Sequence, residues 1–129
     1  MFIRISLTLI LAATSNAASA APPPSIGGVW QQDDGSTTVR VAPCPDSPSS
    51  PSWCATVLKE TLTANQPSLV GQTIVRDMRA KGQQAWVGRY VVDGQSMKAS
   101  AKLLRADSLS FKICAIAFLC ETLKFRRIG

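Results

Sequence analysis

Ser108-Leu109-Ser110-Phe111-Lys112-Ile113-Cys114 is followed by Ala115-Ile116-Ala117-Phe118 and then by Leu119-Cys120-Glu121-Thr122-Leu123-Lys124-Phe125-Arg126-Arg127. Leu109, Phe111 and Ile113 alternate with Ser108, Ser110 and Lys112. Leu119, Leu123 and Phe125 alternate with Cys120, Thr122, Lys124 and Arg126. A period of two marks strands with one buried and one wetted face. Pairing Cys114 with Cys120 sets a hairpin register in which Phe111 meets Leu123, Leu109 meets Phe125 and Asp107 meets Arg127. The cysteines then fall on the polar face, so one pairing reconciles the alternation, a disulfide and a charge pair.

The same periodicity runs upstream. Strands are expected over Ile26 to Gln32, Thr38 to Ala42, Trp53 to Glu60, Gly71 to Met78, Gln84 to Val92 and Gln95 to Leu104. Asp33-Asp34-Gly35, Lys81-Gly82 and Asp93-Gly94 are turns between them. Asp93-Gly94 carries the strongest signal, because both residues tolerate positive φ in a two-residue hairpin. Pro45 to Ser52 is a loop by composition, and Thr61 to Val70 a longer connection. No amphipathic helix is apparent. Eight short strands with hairpin-length links predict an all-β fold, a small eight-stranded antiparallel up-and-down barrel, which leaves no unpaired sheet edge. A two-sheet sandwich is the alternative.

Met1 to Ala20 has the build of a cleaved signal peptide: Arg4, the apolar run Ile5 to Ala13, then Ala18-Ser19-Ala20. That run is too short to span a bilayer as a helix, which takes ~20 residues. The expected mature chain begins at Ala21, with a Pro-rich linker over 21–25 and a single barrel domain over 26–129. An exported chain reaches the periplasm or the outside, where thiols oxidise. Its four cysteines allow three connectivities, and local pairing, Cys44–Cys54 with Cys114–Cys120, keeps strand alternation on both sides of each bridge. With Cys44 bonded to Cys54, Val41 is expected to face Val57. A four-cysteine zinc site lacks the usual close spacings.

The balance of 14 Lys and Arg against 8 Asp and Glu is a net +6. These cations are scattered along the chain, apart from Arg76–Lys81 and Lys124–Arg127, and a mildly basic soluble surface outweighs attraction to envelope lipid or acidic polysaccharide. No aromatic-basic stacking motif points to nucleic acid. With no histidine in the chain, a Ser-His-Asp arrangement is excluded. Asp33 and Asp34 are turn residues, not converging carboxylates, and no glycine loop cradles phosphate. No catalytic residue, metal ligand or cofactor is therefore assigned.

Two constellations remain. From the Asp93-Gly94 turn, Tyr90 faces Met97, Gly88 faces Ala99 and Trp86 faces Ala101, all on the inward face. Small residues in mid-strand either leave a pocket for a small apolar ligand, lined by Trp86, Gly88, Tyr90, Met97, Ala99 and Ala101, or make room for Trp30 or Trp86, or permit strand bending. At the barrel end, Arg127 shares the inward face with Phe125 and is placed to cover the indole of Trp30. The apolar tip Ala115 to Phe118 is expected to fold into the barrel mouth, with a partner-binding edge as the alternative.

Gly28-Val29-Trp30, Val41-Ala42-Pro43-Cys44, Trp53-Cys54-Ala55-Thr56-Val57, Ala64-Asn65-Gln66-Pro67 with Gly71-Gln72-Thr73-Ile74-Val75, Trp86-Val87-Gly88, and Cys120 followed by Phe125 and Arg127 resemble, in order and spacing, the small exported bacterial family catalogued as domain of unknown function 2147. The resemblance covers about Ile26 to Ile128. Departures stand at Ala55, where the family has Gly, at Phe125, where it has Trp, and at the Asp93-Gly94 turn and Met97, where it has a longer turn ending in Tyr. The resemblance implies a lipocalin-like barrel in the periplasm with no established activity. The Gly-x-Trp start and closing Arg are also a general lipocalin pattern. Binding of a small apolar or amphipathic ligand, inhibition of an envelope or host enzyme by a small barrel, and enzymatic activity are the three functional classes, the last disfavoured without histidine.

Overall fold

The structure, a computed structural model, describes residues 25–45, 52–116 and 118–129. The expected leader, its cleavage point after Ala20 and most of the Pro-rich linker lie outside the described residues.

Eight strands follow in order: β1 (Gly28–Gln32), β2 (Thr37–Pro43), β3 (Trp53–Glu60), β4 (Thr73–Ala80), β5 (Ala85–Val92), β6 (Gln95–Arg105), β7 (Ser108–Ile116) and β8 (Leu119–Arg127). Each pairs antiparallel with its chain neighbour, and β8 returns to β1 to close the barrel. This is the up-and-down barrel expected, not the sandwich. Among the described residues there is no helix. Both expected disulfides form, Cys44–Cys54 and Cys114–Cys120.

The C-terminal hairpin takes the anticipated register: Leu109 opposes Phe125, Phe111 opposes Leu123, and Cys114 opposes Cys120. Asp107 and Arg127 also meet, through a backbone bond from the Arg127 N–H to the Asp107 carbonyl. The expected charge pair does not form, because the Arg127 guanidinium donates instead to the carbonyls of Ser25, Gly27 and Ala106.

The second hairpin departs from expectation. Val41 faces Ala55, not Val57, and Val57 faces Val39. Cys54 lies opposite Ala42, while the Cys44 N–H bonds the Ser52 carbonyl. The Cys44–Cys54 bridge is thus diagonal, with Cα atoms 5.0 Å apart, within the span a disulfide can close. The two-residue slip preserves the inward face, since side chains alternate with period two. A bulge between Thr38 and Val39 leaves Leu58 without a partner in this ladder.

Two further irregularities fall on β4. Thr73 pairs with Thr56 and Val75 with Ala55, so Ile74 is an extra residue. Ile74 and Val75 are consequently both buried. Asp77 and Met78 together oppose the single residue Gly88. Asp77 takes a positive φ of 56°, an αL conformation Asp tolerates better than most residues. A Cβ on Gly88 would sit 2.6 Å from both the Arg76 carbonyl oxygen and the Met78 sulfur. Gly88 is what lets the bulged strand approach and Met78 bury.

The β7–β8 tip does not fold into the mouth. β7 runs on to Ile116, which pairs with Leu119, so too little chain is left to bend back. Phe118 is 81% exposed, Leu119 58% and Ile116 50%.

Candidate functional site: a barrel closed at one end

The chain directions put Ile26, the β4–β5 turn, the β6–β7 turn and the C-terminus at one end. The β1–β2, β5–β6 and β7–β8 turns and the long β3–β4 connection lie at the other. The first end is sealed. Trp30 is fully buried, and its indole N–H donates to the Ile26 carbonyl at 2.9 Å. The Arg127 guanidinium carbon lies 4.4 Å from the Trp30 ring centroid, a stacking arrangement in which the cation faces the negative π surface. Its hydrogen bonds to Ser25 and Gly27 draw the entering chain across the barrel floor. Phe125 packs edge-on to Phe111, with centroids 6.4 Å apart.

Above that floor lies an apolar cavity of about 130 Å³. Its deep wall comes from Val41, Ala55, Val75, Met78 and Phe111. Toward the second end the lining turns polar, with Gln32, Thr37, Glu60 and Tyr90. These four are half-buried, whereas the deep-wall residues are buried. The cavity is comparable to the roughly 150 Å³ apolar cavity that takes benzene, and falls below the usual ~300–1,000 Å³ of drug-sized ligand sites. One ring or a short alkyl group fits; a long acyl chain does not fit inside whole.

Of the residues expected to line a pocket, Tyr90 and Ala101 lie on the cavity wall. Ala99 and Trp86 are buried in the core beside it, and Met97 is half-buried near the β5–β6 turn. Gly88 serves the β4 bulge. The β5–β6 register is as anticipated, with Tyr90 opposite Met97, Gly88 opposite Ala99 and Trp86 opposite Ala101. The cavity nevertheless lies mainly against β2, β3, β4, β7 and β8. Ala55, a small residue in mid-strand, is the sequence signal for that wall. The Ile74 bulge has no such signal.

Three carboxylates approach the mouth. Glu60 lines the cavity and accepts the Leu69 N–H. Glu121 pairs with Ile113, on the inward row of β8. Asp93 sits in the β5–β6 turn. Burial pushes the Tyr90 phenol pKa up, and the charges of Glu121, Asp93 and Glu60 push it the same way. Among the described residues no three His, Cys, Asp or Glu side chains gather to hold a metal ion, and no helix is long and apolar enough to cross a membrane. In comparisons with known proteins, no family model, no curated protein and no solved structure matches the chain.

Proposed function

We propose that this is an exported, non-enzymatic binding barrel that takes one small apolar or amphipathic ligand into its interior. The supporting observation is the cavity, with its apolar depth and its polar rim at Tyr90, Thr37 and Glu60. The volume selects a single ring or short alkyl group, with a polar head at the rim. The carboxylates there favour a neutral or cationic head over an anionic one by simple Coulomb interaction. The phenol of Tyr90 offers the orienting hydrogen bond. We further propose that the chain belongs with the domain of unknown function 2147 group, on the motif order given above, and acts in the periplasm or outside the cell after cleavage behind Ala20. Two disulfides suit an oxidising compartment. A second reading, a small barrel that inhibits an envelope or host enzyme, draws support from the exposed apolar tip of Ile116, Phe118 and Leu119.

The test is an NMR titration with benzyl alcohol, benzylamine and benzoate, which share a ring and differ in head charge. Shifts are expected at Ala55, Val75 and Tyr90, weakest for benzoate. Ala55→Leu adds three carbons to the cavity wall and should abolish them while the barrel stays folded. An absence of shifts at those positions for all three compounds rejects interior binding and leaves the inhibitor reading.

A further inference from the structure

The strand register gathers cations that lie far apart in the chain. Arg76 on β4 is directly opposite Arg89 on β5, and Arg89 is directly opposite Lys98 on β6. Three cations thus stand in a row across three strands, at about 5 Å between paired backbones. Lys98 pairs with Cys114, two residues beyond Lys112 on β7. Lys112 pairs with Ser100 on one side and Thr122 on the other. Its diagonal neighbours are therefore Lys98, Lys102 and Lys124, each about 7–8 Å away. All six cations are exposed, and their alternation with the buried Ala99, Ala101, Phe111 and Phe125 places them on the outer surface.

Like charges directly opposite one another destabilise a sheet, so folding alone gives no reason for this row. Among the described residues one carboxylate relieves it: Asp77, raised on the β4 bulge, bonds Arg89 at 2.6 Å. Short hydroxyl residues, Ser100, Ser110 and Thr122, stand between the lysines. The two serines share a surface depression with Lys81, Lys102 and Lys112 and with the apolar residues Ala85, Trp86, Val87 and Ala101.

We infer that the outer face of β4 to β8 is a docking surface for a linear polyanion of the acidic-polysaccharide class. A continuous path of cations matches a chain with regularly repeated negative groups. The aromatic side chains of these strands point inward, with Trp86, Phe111 and Phe125 buried, so nothing on the face stacks on bases as a single-stranded nucleic-acid surface requires. The exposed apolar group Ile116, Phe118 and Leu119 lies past the edge, at the barrel's open end, and Leu104 on β6 is a single exposed leucine among the cations, so the face lacks the broad apolar side of a lipid-inserting surface. This surface is separate from the cavity and holds whether or not the interior binds a ligand.

Heparin, a sulfated uronic-acid polysaccharide, is the probe. The wild-type chain is expected to bind it with an affinity that falls steeply as salt rises. Lys98→Gln combined with Lys112→Gln should weaken binding at least tenfold and leave the melting temperature unchanged or raised, because like-charge repulsion is removed. Arg40→Gln with Lys59→Gln removes the same net charge from β2 and β3 and should change binding less than twofold. Equal losses in the two double variants would reduce the effect to net charge and overturn the surface. Tighter binding to phosphatidylglycerol vesicles or to a single-stranded oligonucleotide at the same salt would overturn the choice of occupant. No binding to any of the three would overturn the inference entirely.

Discussion

Replacing Arg127 by alanine isolates the floor of the barrel. The guanidinium covers Trp30 at 4.4 Å and bonds three carbonyls, those of Ser25 at 2.6 Å, Ala106 at 2.9 Å and Gly27. The ring contact is worth about 0.5–2 kcal/mol. Hydrogen bonds to a charged donor contribute ~1.5–3 kcal/mol each when protected. The Ser25 and Ala106 contacts are exposed and recover water on loss, so only the part-buried Gly27 contact retains much of that value. Together these place Arg127→Ala at roughly 2–3 kcal/mol less stable in urea unfolding, or ~10 °C or more in melting temperature for a domain of this size. Lysine at 127 keeps the charge but cannot span three carbonyls with one ammonium, so it should recover less than half the loss. Trp30→Ala should cost roughly 3–5 kcal/mol as a large core truncation. The two losses should be less than additive in the double variant, because the stacking contact is counted in both. An Arg127→Ala stability within ~0.5 kcal/mol of wild type, or strict additivity with Trp30→Ala, would refute the stacked floor.

Peptide mapping without reduction should return Cys44–Cys54 and Cys114–Cys120. Loop-closure entropy over separations of 10 and 6 residues puts the loss on removing either bridge at roughly 2–3 kcal/mol, the longer loop costing slightly more; the reverse order would discount the entropic account. Gly88→Ala should destabilise by about 1–3 kcal/mol, since the added Cβ meets the fixed carbonyl of Arg76, and an unchanged melting temperature would contradict the close approach of β4. Tyr90 is the sole tyrosine, so phenolate absorbance reports it alone. Its midpoint should lie above 10, and Glu121→Gln should lower it. A raised folded pKa means its contribution to stability is intact below the unfolded value and is lost as pH rises through the folded one; Tyr90→Phe should flatten that alkaline loss.

The barrel was legible because its determinants are local. Alternation selects strands, Asp93-Gly94 sets the β5–β6 register, and the Cys114–Cys120 bridge agrees with the apolar pairing of Leu109 and Phe111. The β2–β3 register was not, since a disulfide joins diagonal positions as readily as opposed ones, and both solutions bury Val39 and Val41. The bulges on β4 were hidden for a different reason. Their positive-φ residue is Asp77, not glycine, and Ile74-Val75 reads as an ordinary apolar pair until the count against β3 shows one residue too many. Because those bulges shape the cavity wall, the β5–β6 register was legible while the place of the cavity, mainly against β2, β3, β4, β7 and β8, was not.

The basic face follows the same division. Alternation already places Arg89, Lys98 and Lys102 on the outer side of one hairpin, but period two assigns a face and says nothing about neighbours across it. Neighbours come from register, and on β4 the register depends on the bulge at Asp77 and Met78. That bulge buries Met78 over Gly88, holds Arg76 in line with Arg89, and carries Asp77 to within 2.6 Å of the Arg89 guanidinium. Both members of that pair are about half exposed, so it offsets the repulsion in the row only modestly. Among the described residues no acid is ion-paired with Lys98, Lys112 or the flanking lysines on the same surface. A fold seeking stability alone would distribute acids among them; the acidic residues Glu60, Asp93 and Glu121 stand instead around the barrel's open end. Among the described residues an acidic mouth is thus separated from a basic wall, the charge layout that both proposals call for: a neutral or cationic head at the interior and a polyanion on the outer surface.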